Sequence, residues 1–154
     1  MKKIKLEINS KRYELEVRDS ELLIELLRER LGLLGTKYSC LEGDCGVCTV
    51  LLNGKNILSC LTLAVECDGE KITTIEGLAK DGELHPLQSA FVEKGAIQCG
   101  FCTPGMILAA KALLDKNPKP TDEEIAVGID GNLCRCTGYI KIVDAIRSAT
   151  QRET

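Results

Sequence analysis

The sequence contains very few of the side chains that usually build a small hydrophobic core. It has no tryptophan, and aromatic residues make up only 3% of its 154 residues. The large rings that anchor many small folds are therefore nearly absent. A chain of this length forms one domain or two small ones, and small domains often need a cofactor, metal or partner for stability. We expect something other than aromatic packing to hold this fold together.

Net charge and long apolar runs are also scarce. The formal net charge is -3, with both signs mixed along the chain, which argues against a nucleic-acid partner or a polybasic membrane patch. No apolar stretch approaches the roughly 20 residues of a membrane span. Residues 1–8 alternate charged and apolar side chains, unlike a signal peptide. We expect a cytoplasmic protein with no nucleic-acid partner and no membrane span.

Cysteine, by contrast, is abundant, with nine residues in the chain. In a reducing cytoplasm structural disulfides are rare, so metal binding is the leading explanation for so many thiols. The single histidine, His85, argues against a Rieske-type centre, which needs two histidines on one iron.

The first half of the chain has strand periodicity with one helix. Apolar and polar residues alternate, and turn residues such as Asn53-Gly54 separate the runs, as expected for hairpins. A leucine stripe over residues 22–31 predicts a helix that Asp19 or Ser20 can cap and Gly32 ends. Strands are predicted at residues 3–8, 12–17, 49–52, 56–59 and 72–75. This half is predicted to be a compact α+β unit.

The second half has helical periodicity, and the change falls at about residues 79–84. Thr103 is predicted to cap a helix that has Pro104 at its first position. Thr121 and Glu124 have the spacing of a capping box. Helices are predicted at residues 86–94, at residues 103–115, from residue 121, and at residues 139–150. The second half is therefore expected to be all-helical.

The first cysteine set has the spacing of a plant-type ferredoxin. Cys40, Cys45 and Cys48 follow the pattern C-x4-C-x2-C, and Cys60 comes after the Asn53-Gly54 turn. Glycines at positions 43 and 46 allow close backbone approach, so amide N–H groups can point at the sulfurs of an anionic cluster. A structural zinc site is the alternative, but its usual pair of C-x2-4-C knuckles is missing. We interpret this set as a 2Fe-2S site.

The second set combines Cys99 and Cys102 with Cys134 and Cys136, and on spacing alone it fits zinc as well as a cluster. Cys102 directly precedes one predicted helix start, and Cys136 lies just before another. Two positive helix ends would then face an anionic site. Because zinc tetrathiolate is also anionic, this argument separates the two metals poorly, but we favour a cluster over zinc. A redox disulfide at Cys99 and Cys102 is disfavoured, because no thioredoxin-like βαβ pattern surrounds them.

Three segments together resemble a known family. They are CLEGDCGVCT at residues 40–49, QCGFCTPG at residues 98–105 and GNLCRCTGY at residues 131–139. In order and spacing they resemble the iron-sulfur small subunits of the xanthine oxidase family of molybdenum hydroxylases. That family includes small subunits of nicotinate, xanthine and aerobic-type carbon monoxide dehydrogenases and of 4-hydroxybenzoyl-CoA reductase.

The resemblance implies a fold and two cofactors. Residues 1–78 would form a β-grasp, plant-type 2Fe-2S ferredoxin-like domain, and residues 79–154 an all-α four-helix 2Fe-2S-binding domain. One cluster would be held by Cys40, Cys45, Cys48 and Cys60, and the other by Cys99, Cys102, Cys134 and Cys136. The ninth cysteine, Cys67, lies outside both spacings and is interpreted as a structural thiol.

The resemblance also implies an electron-transfer role inside a larger oxidoreductase. A large subunit would hold the molybdopterin cofactor and a medium subunit FAD, giving a heterotrimer that can dimerise. Gln98 would contact the pterin, and the two clusters would relay electrons between the molybdenum site and the flavin or an external acceptor. A free-standing double-cluster ferredoxin is the alternative function, and a zinc-stapled binding module is a third. The chain itself has no catalytic residues, and its sequence does not identify the substrate.

Overall fold

Five strands and five helices organise residues 1–151, the part of the chain that this computed structural model describes. The last three residues of the predicted second domain, 152–154, lie outside the described residues. The strands are β1 (Lys2–Ile8), β2 (Lys11–Val17), β3 (Thr49–Leu52), β4 (Lys55–Leu58) and β5 (Lys71–Thr73). The helices are α1 (Leu23–Glu25), α2 (Pro86–Glu93), α3 (Thr103–Lys116), α4 (Asp122–Gly128) and α5 (Ile140–Thr150). The expected α+β class is confirmed.

The strands form one mixed sheet in the order β2-β1-β5-β3-β4. Strands β1 and β5 pair in parallel, and the other neighbours are antiparallel. Alternation in β1 buries Ile4, Leu6 and Ile8, while Lys3 and Lys5 face solvent. These buried residues pack with leucines of α1 and its continuation in one hydrophobic cluster. This arrangement confirms the predicted β-grasp half.

The leucine-rich helix differs in detail from its prediction. Leu23–Glu25 is α-helical, and the chain then continues as a π-helical turn over Leu26–Arg30. The predicted caps Asp19 and Ser20 are wrong, because they lie in a turn closed by the bond from Glu21 N to the Arg18 carbonyl, 3.0 Å. Leu22 is the N-cap residue, and its N–H donates to the Glu25 carboxylate at 3.1 Å.

All four predicted helices of the second half are present. The Thr121 capping box is confirmed, since Glu124 N donates to Thr121 Oγ1 at 3.2 Å and Thr121 N donates to Glu124 Oε2 at 2.7 Å. The prediction that Thr103 caps α3 is wrong: Cys102 is the N-cap residue and Thr103 is the first helical residue. The last helix begins at Ile140, one residue later than predicted.

The two halves share a buried core. Leu51 of β3 belongs to the same hydrophobic cluster as Met106 and Ile107 of α3 and Ile146 of α5. The helices therefore pack directly on the β3 side of the sheet, and this contact positions the two cysteine sets relative to each other. None of the helices in residues 1–151 is long and apolar enough to cross a membrane.

Candidate metal centres

The first cysteine set lies in the loop that joins α1 to β3 and at the end of β4. Cys40 and Cys45 are half-buried, and their Sγ atoms are 3.2 Å apart. Cys48 and Cys60 are buried, and Ser59 N, directly after β4, donates to the Cys48 carbonyl at 3.3 Å. The hairpin of β3 and β4 thus places Cys60, the fourth cysteine of the set, beside Cys48, the third. None of the nine cysteines is in a disulfide.

Backbone N–H groups point at Cys40. Glu42 N and Cys45 N lie 3.5 Å and 3.4 Å from Cys40 Sγ. These donors, that of Glu42 foremost, lower the pKa of the Cys40 thiol to about 6. Because such bonds favour the thiolate, the loop is prearranged for a negatively charged sulfur.

At least one thiol in each set has a raised pKa instead. Burial, followed by the hydrogen bond to Cys48, raises the pKa of Cys60 to about 12. Burial likewise raises the pKa of Cys102 in the second set to about 12, with the Cys134 side chain adding to the effect. A bound metal reverses this balance because coordination deprotonates a thiol outright. The lowered pKa of Cys40 and the raised pKa of Cys60 in one set are therefore both compatible with a metal-thiolate centre.

The second cysteine set surrounds a cavity of about 400 Å³. Cys99 and Cys102 approach it from the turn before α3, and Cys134 and Cys136 from the loop before α5. Cys136 is hydrogen-bonded to Cys99, and this contact raises its pKa. The cavity is lined by Ser39, Cys45, Val47, Cys99, Phe101, Cys102, Leu133, Cys134, Arg135, Cys136 and Tyr139. The structure thus brings all four thiols of the set to one space.

Cys134 is held in a dense hydrogen-bonded turn. Thr137 donates to its sulfur twice, from Oγ1 at 3.0 Å and from the backbone N at 3.4 Å. Burial opposes ionisation of Cys134, yet the side-chain and backbone bonds from Thr137 lower the pKa of its thiol. The Cys134 N–H donates to the phenol oxygen of Tyr139 at 2.9 Å. As in the first set, one sulfur is surrounded by donors that favour its anionic form.

A short polar junction joins the two cysteine sets. Leu133 N, next to Cys134, donates to the carbonyl of Cys45 at 2.9 Å. The buried amide of Asn132 donates from Nδ2 to the Gly46 carbonyl at 2.8 Å and to Thr49 Oγ1 at 3.2 Å. Gly46 has a positive φ of 69°, and a Cβ there would overlap the carbonyl oxygen of Gly131. The backbone of the first loop therefore fits tightly against the loop of the second.

The other predicted residues occupy distinct places. Gln98 is exposed, directly before Cys99. Cys67 is fully buried in the core of the sheet, where burial raises its pKa to about 11. His85 is the N-cap of α2 and accepts from Leu87 N at 3.2 Å. Both cysteine sets are gathered, whereas Gln98 contacts neither set in any described hydrogen bond.

Two residues with a structural part in the site were missed from the sequence. Asn132 lies inside the segment GNLCRCTGY, but no sequence pattern assigns it a part in the site, and its role arises only when the two loops meet. Thr137 directly follows Cys136 in the same segment, and a hydroxyl residue beside a cysteine pair is a recognisable donor to sulfur. The expectation that two helix ends face the second set is only half met, because α5 begins four residues after Cys136.

The residues of both sets fit the implied 2Fe-2S clusters. Each set offers four thiols without disulfides, and each contains a sulfur that receives backbone N–H donors. Donors of this kind, together with solvent exposure, stabilise and tune anionic iron-sulfur centres.

Comparison with sequence models of protein families gives two matches that together cover most of the chain. Residues 6–77 match a 2Fe-2S iron-sulfur cluster binding domain. Residues 74–147 match a [2Fe-2S] binding domain. The chain thus carries two 2Fe-2S binding domains in the expected order.

Curated relatives are similar over nearly their whole length. The nicotinate dehydrogenase small FeS subunit of Eubacterium barkeri is 54% identical over 149 residues, covering 97% of this chain and 95% of the relative. The xanthine dehydrogenase iron-sulfur-binding subunit of Escherichia coli O157:H7 is 50% identical, with coverage of 93% and 91%.

Solved structures agree with these relatives. A chain of quinoline 2-oxidoreductase from Pseudomonas putida 86 superimposes with a TM-score of 0.94 at 44% identity, covering 97% of this chain and 94% of that one. The aldehyde oxidoreductase from Desulfovibrio desulfuricans gives a TM-score of 0.96 at 41% identity, and there the match covers 99% of this chain and 17% of the larger one. With the gathered thiols, these likenesses identify the chain as a member of the family of iron-sulfur small subunits of molybdenum hydroxylases, with two 2Fe-2S clusters and an electron-transfer role.

Proposed function

We propose that this chain relays electrons between a molybdopterin site in a large subunit and a flavin or external acceptor. Each 2Fe-2S cluster, when bound, accepts and releases one electron. The chain's own part is to hold the two clusters at a fixed separation and to exclude other routes. The substrate is oxidised or reduced in another polypeptide.

The contact between Leu133 and Cys45 carries this proposal. Cys45 and Cys134 belong to different sets, and the 2.9 Å hydrogen bond from Leu133 N to the Cys45 carbonyl joins their backbones. Cys45 also lines the cavity that the second set surrounds. A short backbone bridge of this kind supports electron passage between two centres in one rigid unit, as a relay requires.

The ligand assignment is part of the proposal. Cluster one is held by the first set and cluster two by the second, with the boundary between the two domains at residues 78 and 79. The sulfur-directed N–H groups at Cys40 and Cys134 support one anionic centre in each set. Cys67 is excluded because its thiol is buried among apolar residues of the sheet.

The partners follow from the same circuit. We propose a cytoplasmic heterotrimer with a molybdopterin-binding large subunit and an FAD-binding medium subunit, which can dimerise further. Cluster two faces the pterin side, where Gln98 is exposed directly before Cys99 and would contact the pterin. Cluster one passes electrons to the flavin or the external acceptor.

Rapid-freeze EPR of the assembled complex tests the relay. After mixing with reducing substrate, both cluster signals should appear within one turnover. Cys48→Ser should remove or alter the cluster-one signal, leave the cluster-two signal and block electron delivery to the acceptor. The matched control Cys67→Ser should leave both signals intact. If substrate reduced neither cluster while the acceptor was still reduced, the relay would be wrong. If the purified chain carried both clusters alone as a monomer, a free-standing ferredoxin would be favoured.

Gln98→Ala tests the pterin contact separately. We expect both cluster signals to remain, because Gln98 is not among the sulfur ligands, and we expect slower reduction of cluster two by substrate. If the pre-steady-state rate of cluster-two reduction were unchanged, the proposed contact between Gln98 and the pterin would be wrong. The assignment of the cluster ligands would not be affected.

A further inference from the structure

We propose that the hydroxyl of Thr137 tunes cluster two by donating a hydrogen bond to the sulfur of Cys134, which raises the reduction potential of that cluster alone. The inference rests on the proposed ligand assignment. Thr137 Oγ1 lies 3.0 Å from Cys134 Sγ, within hydrogen-bond distance for a sulfur acceptor. Hydrogen bonds to cluster sulfurs are a principal means by which a protein sets the potential.

The turn itself orients the hydroxyl. A threonine hydroxyl has one hydrogen to donate and two lone pairs to accept with. Tyr139 N donates to Thr137 Oγ1 at 3.3 Å, so one lone pair is occupied and the hydrogen remains for the Cys134 sulfur. The backbone N of Thr137 approaches the same sulfur at 3.4 Å, which holds the residue over it.

Tyr139 closes the turn from its other end. Its phenol oxygen accepts from Cys134 N at 2.9 Å, and its backbone N supports Thr137. Tyr139 has a φ of 70°, in the left-handed region that a bulky residue seldom adopts. Such a conformation persists where the surroundings hold it. The three residues therefore form a closed ring of hydrogen bonds around one cysteine.

Cluster one has a different kind of donor. At Cys40 the N–H groups belong to the backbone of Glu42 and Cys45. A side-chain substitution there leaves those donors in place, whereas a substitution at Thr137 removes the hydroxyl bond and keeps the backbone bond. The hydroxyl thus gives the two clusters unequal surroundings and sets part of the difference between their potentials.

The direction of the shift in the cluster-two reduction potential follows from charge. One-electron reduction makes the cluster and its thiolates more negative, so a donor at sulfur stabilises the reduced state more than the oxidised state. Removing the hydroxyl should therefore lower the equilibrium constant for reducing cluster two by about tenfold, which corresponds to about 59 mV for one electron. Cluster one should not change.

Redox titration of the assembled complex, followed by low-temperature EPR, tests the proposal. Thr137→Val keeps the shape and removes the hydroxyl, Thr137→Ala removes it with less bulk, and Thr137→Ser restores it. The cluster-one signal is assigned independently as the one that Cys48→Ser alters. Thr150→Val is the matched control, because that hydroxyl donates to the Arg147 carbonyl at 2.7 Å and to no sulfur.

We expect the cluster-two potential to fall in the valine and alanine variants, to return in the serine variant and to stay constant in the control. If both non-hydroxyl variants lost cluster-two iron while serine retained it, the hydroxyl would hold the cluster in place, and the tuning role would be overturned. Unshifted potentials with both signals intact, equal shifts of both clusters, or loss of cluster two in all three variants would overturn the tuning role. The ligand assignment is tested separately, since it fails if Cys134→Ser leaves cluster two unaltered.

Discussion

Replacing Gly46 by alanine should destabilise the protein far more than the same change in an ordinary turn. Gly46 lies in the first cysteine loop with a φ of 69°. A Cβ at this position would overlap the carbonyl oxygen of Gly131 and lie 2.9 Å from the Cα of Asn132. Both neighbours are backbone atoms, so no side-chain rotation can relieve the overlap.

The expected loss of unfolding free energy in Gly46→Ala has two parts. The left-handed conformation costs an L-residue about 1–2 kcal/mol relative to glycine. Forcing extra volume into a packed region costs about 1–3 kcal/mol more. We therefore expect a loss of about 2–5 kcal/mol in the free energy of unfolding for Gly46→Ala. Gly54→Ala isolates the first part, because Gly54 has a φ of 80° and open space around it.

Thermal denaturation of the two variants measures the difference. At about 2–4 °C per kcal/mol for a chain of this size, Gly54→Ala should lower Tm by about 2–8 °C, and Gly46→Ala by at least twice as much. Gly131→Ala, on the other side of the junction and with nothing near its Cβ position, should be nearly neutral. If Gly46→Ala were no worse than Gly54→Ala, the close contact between the two loops would be refuted.

Three further predictions concern other parts of the chain. Asn132→Ala removes the hydrogen bonds from Nδ2 to Gly46 and Thr49. In urea titrations this variant should lose about 1–3 kcal/mol of unfolding free energy. An unchanged urea midpoint would contradict a stabilising contact between the two loops. Cys67→Ala should keep its full iron content, and its free energy of unfolding should fall by about 0.5–1.5 kcal/mol, as for the loss of one buried methyl group. Loss of iron in this variant would show that Cys67 is a ligand. Arg147 donates to Asp122 at 2.6 Å and lowers the pKa of that carboxyl. The ion pair therefore stabilises the fold at pH values above the usual carboxyl pKa of 3.8. This stabilisation is lost as the pH falls through the lowered pKa of Asp122. Asp122→Asn should therefore lower Tm slightly at pH 7, and this difference from the unsubstituted chain should shrink as the pH falls below 3.8. A difference that stayed equal over this range would rule out the linkage.

The elements with strong local signals could be predicted from the sequence. Period-two alternation and the Asn53-Gly54 turn specify the two hairpins, and the Thr121 capping box marks the start of α4, because these signals depend on neighbours in sequence. The cysteine spacing likewise indicated which thiols meet. The same local logic failed at Asp19 and Ser20, since Glu21 is buried there and pairs with Arg30 from the following turn.

The rest of the site depends on contacts between distant segments. The junction joins Asn132 to Gly46 across 86 positions, and nothing in either local sequence encodes that approach. The bond from Thr137 to Cys134 is local, but its direction depends on Tyr139 adopting a positive φ, which tyrosine seldom does. Long-range packing and an unusual backbone conformation therefore determine the parts that sequence patterns missed.

Quantitative EPR of the fully reduced assembled complex, with iron and acid-labile sulfide counted in the same sample, determines whether each cysteine set holds a 2Fe-2S cluster. We expect two distinct 2Fe-2S signals of equal spin per chain, with two irons and two sulfides for each set of four cysteines. One signal alone, or zinc without acid-labile sulfide in either set, would contradict it.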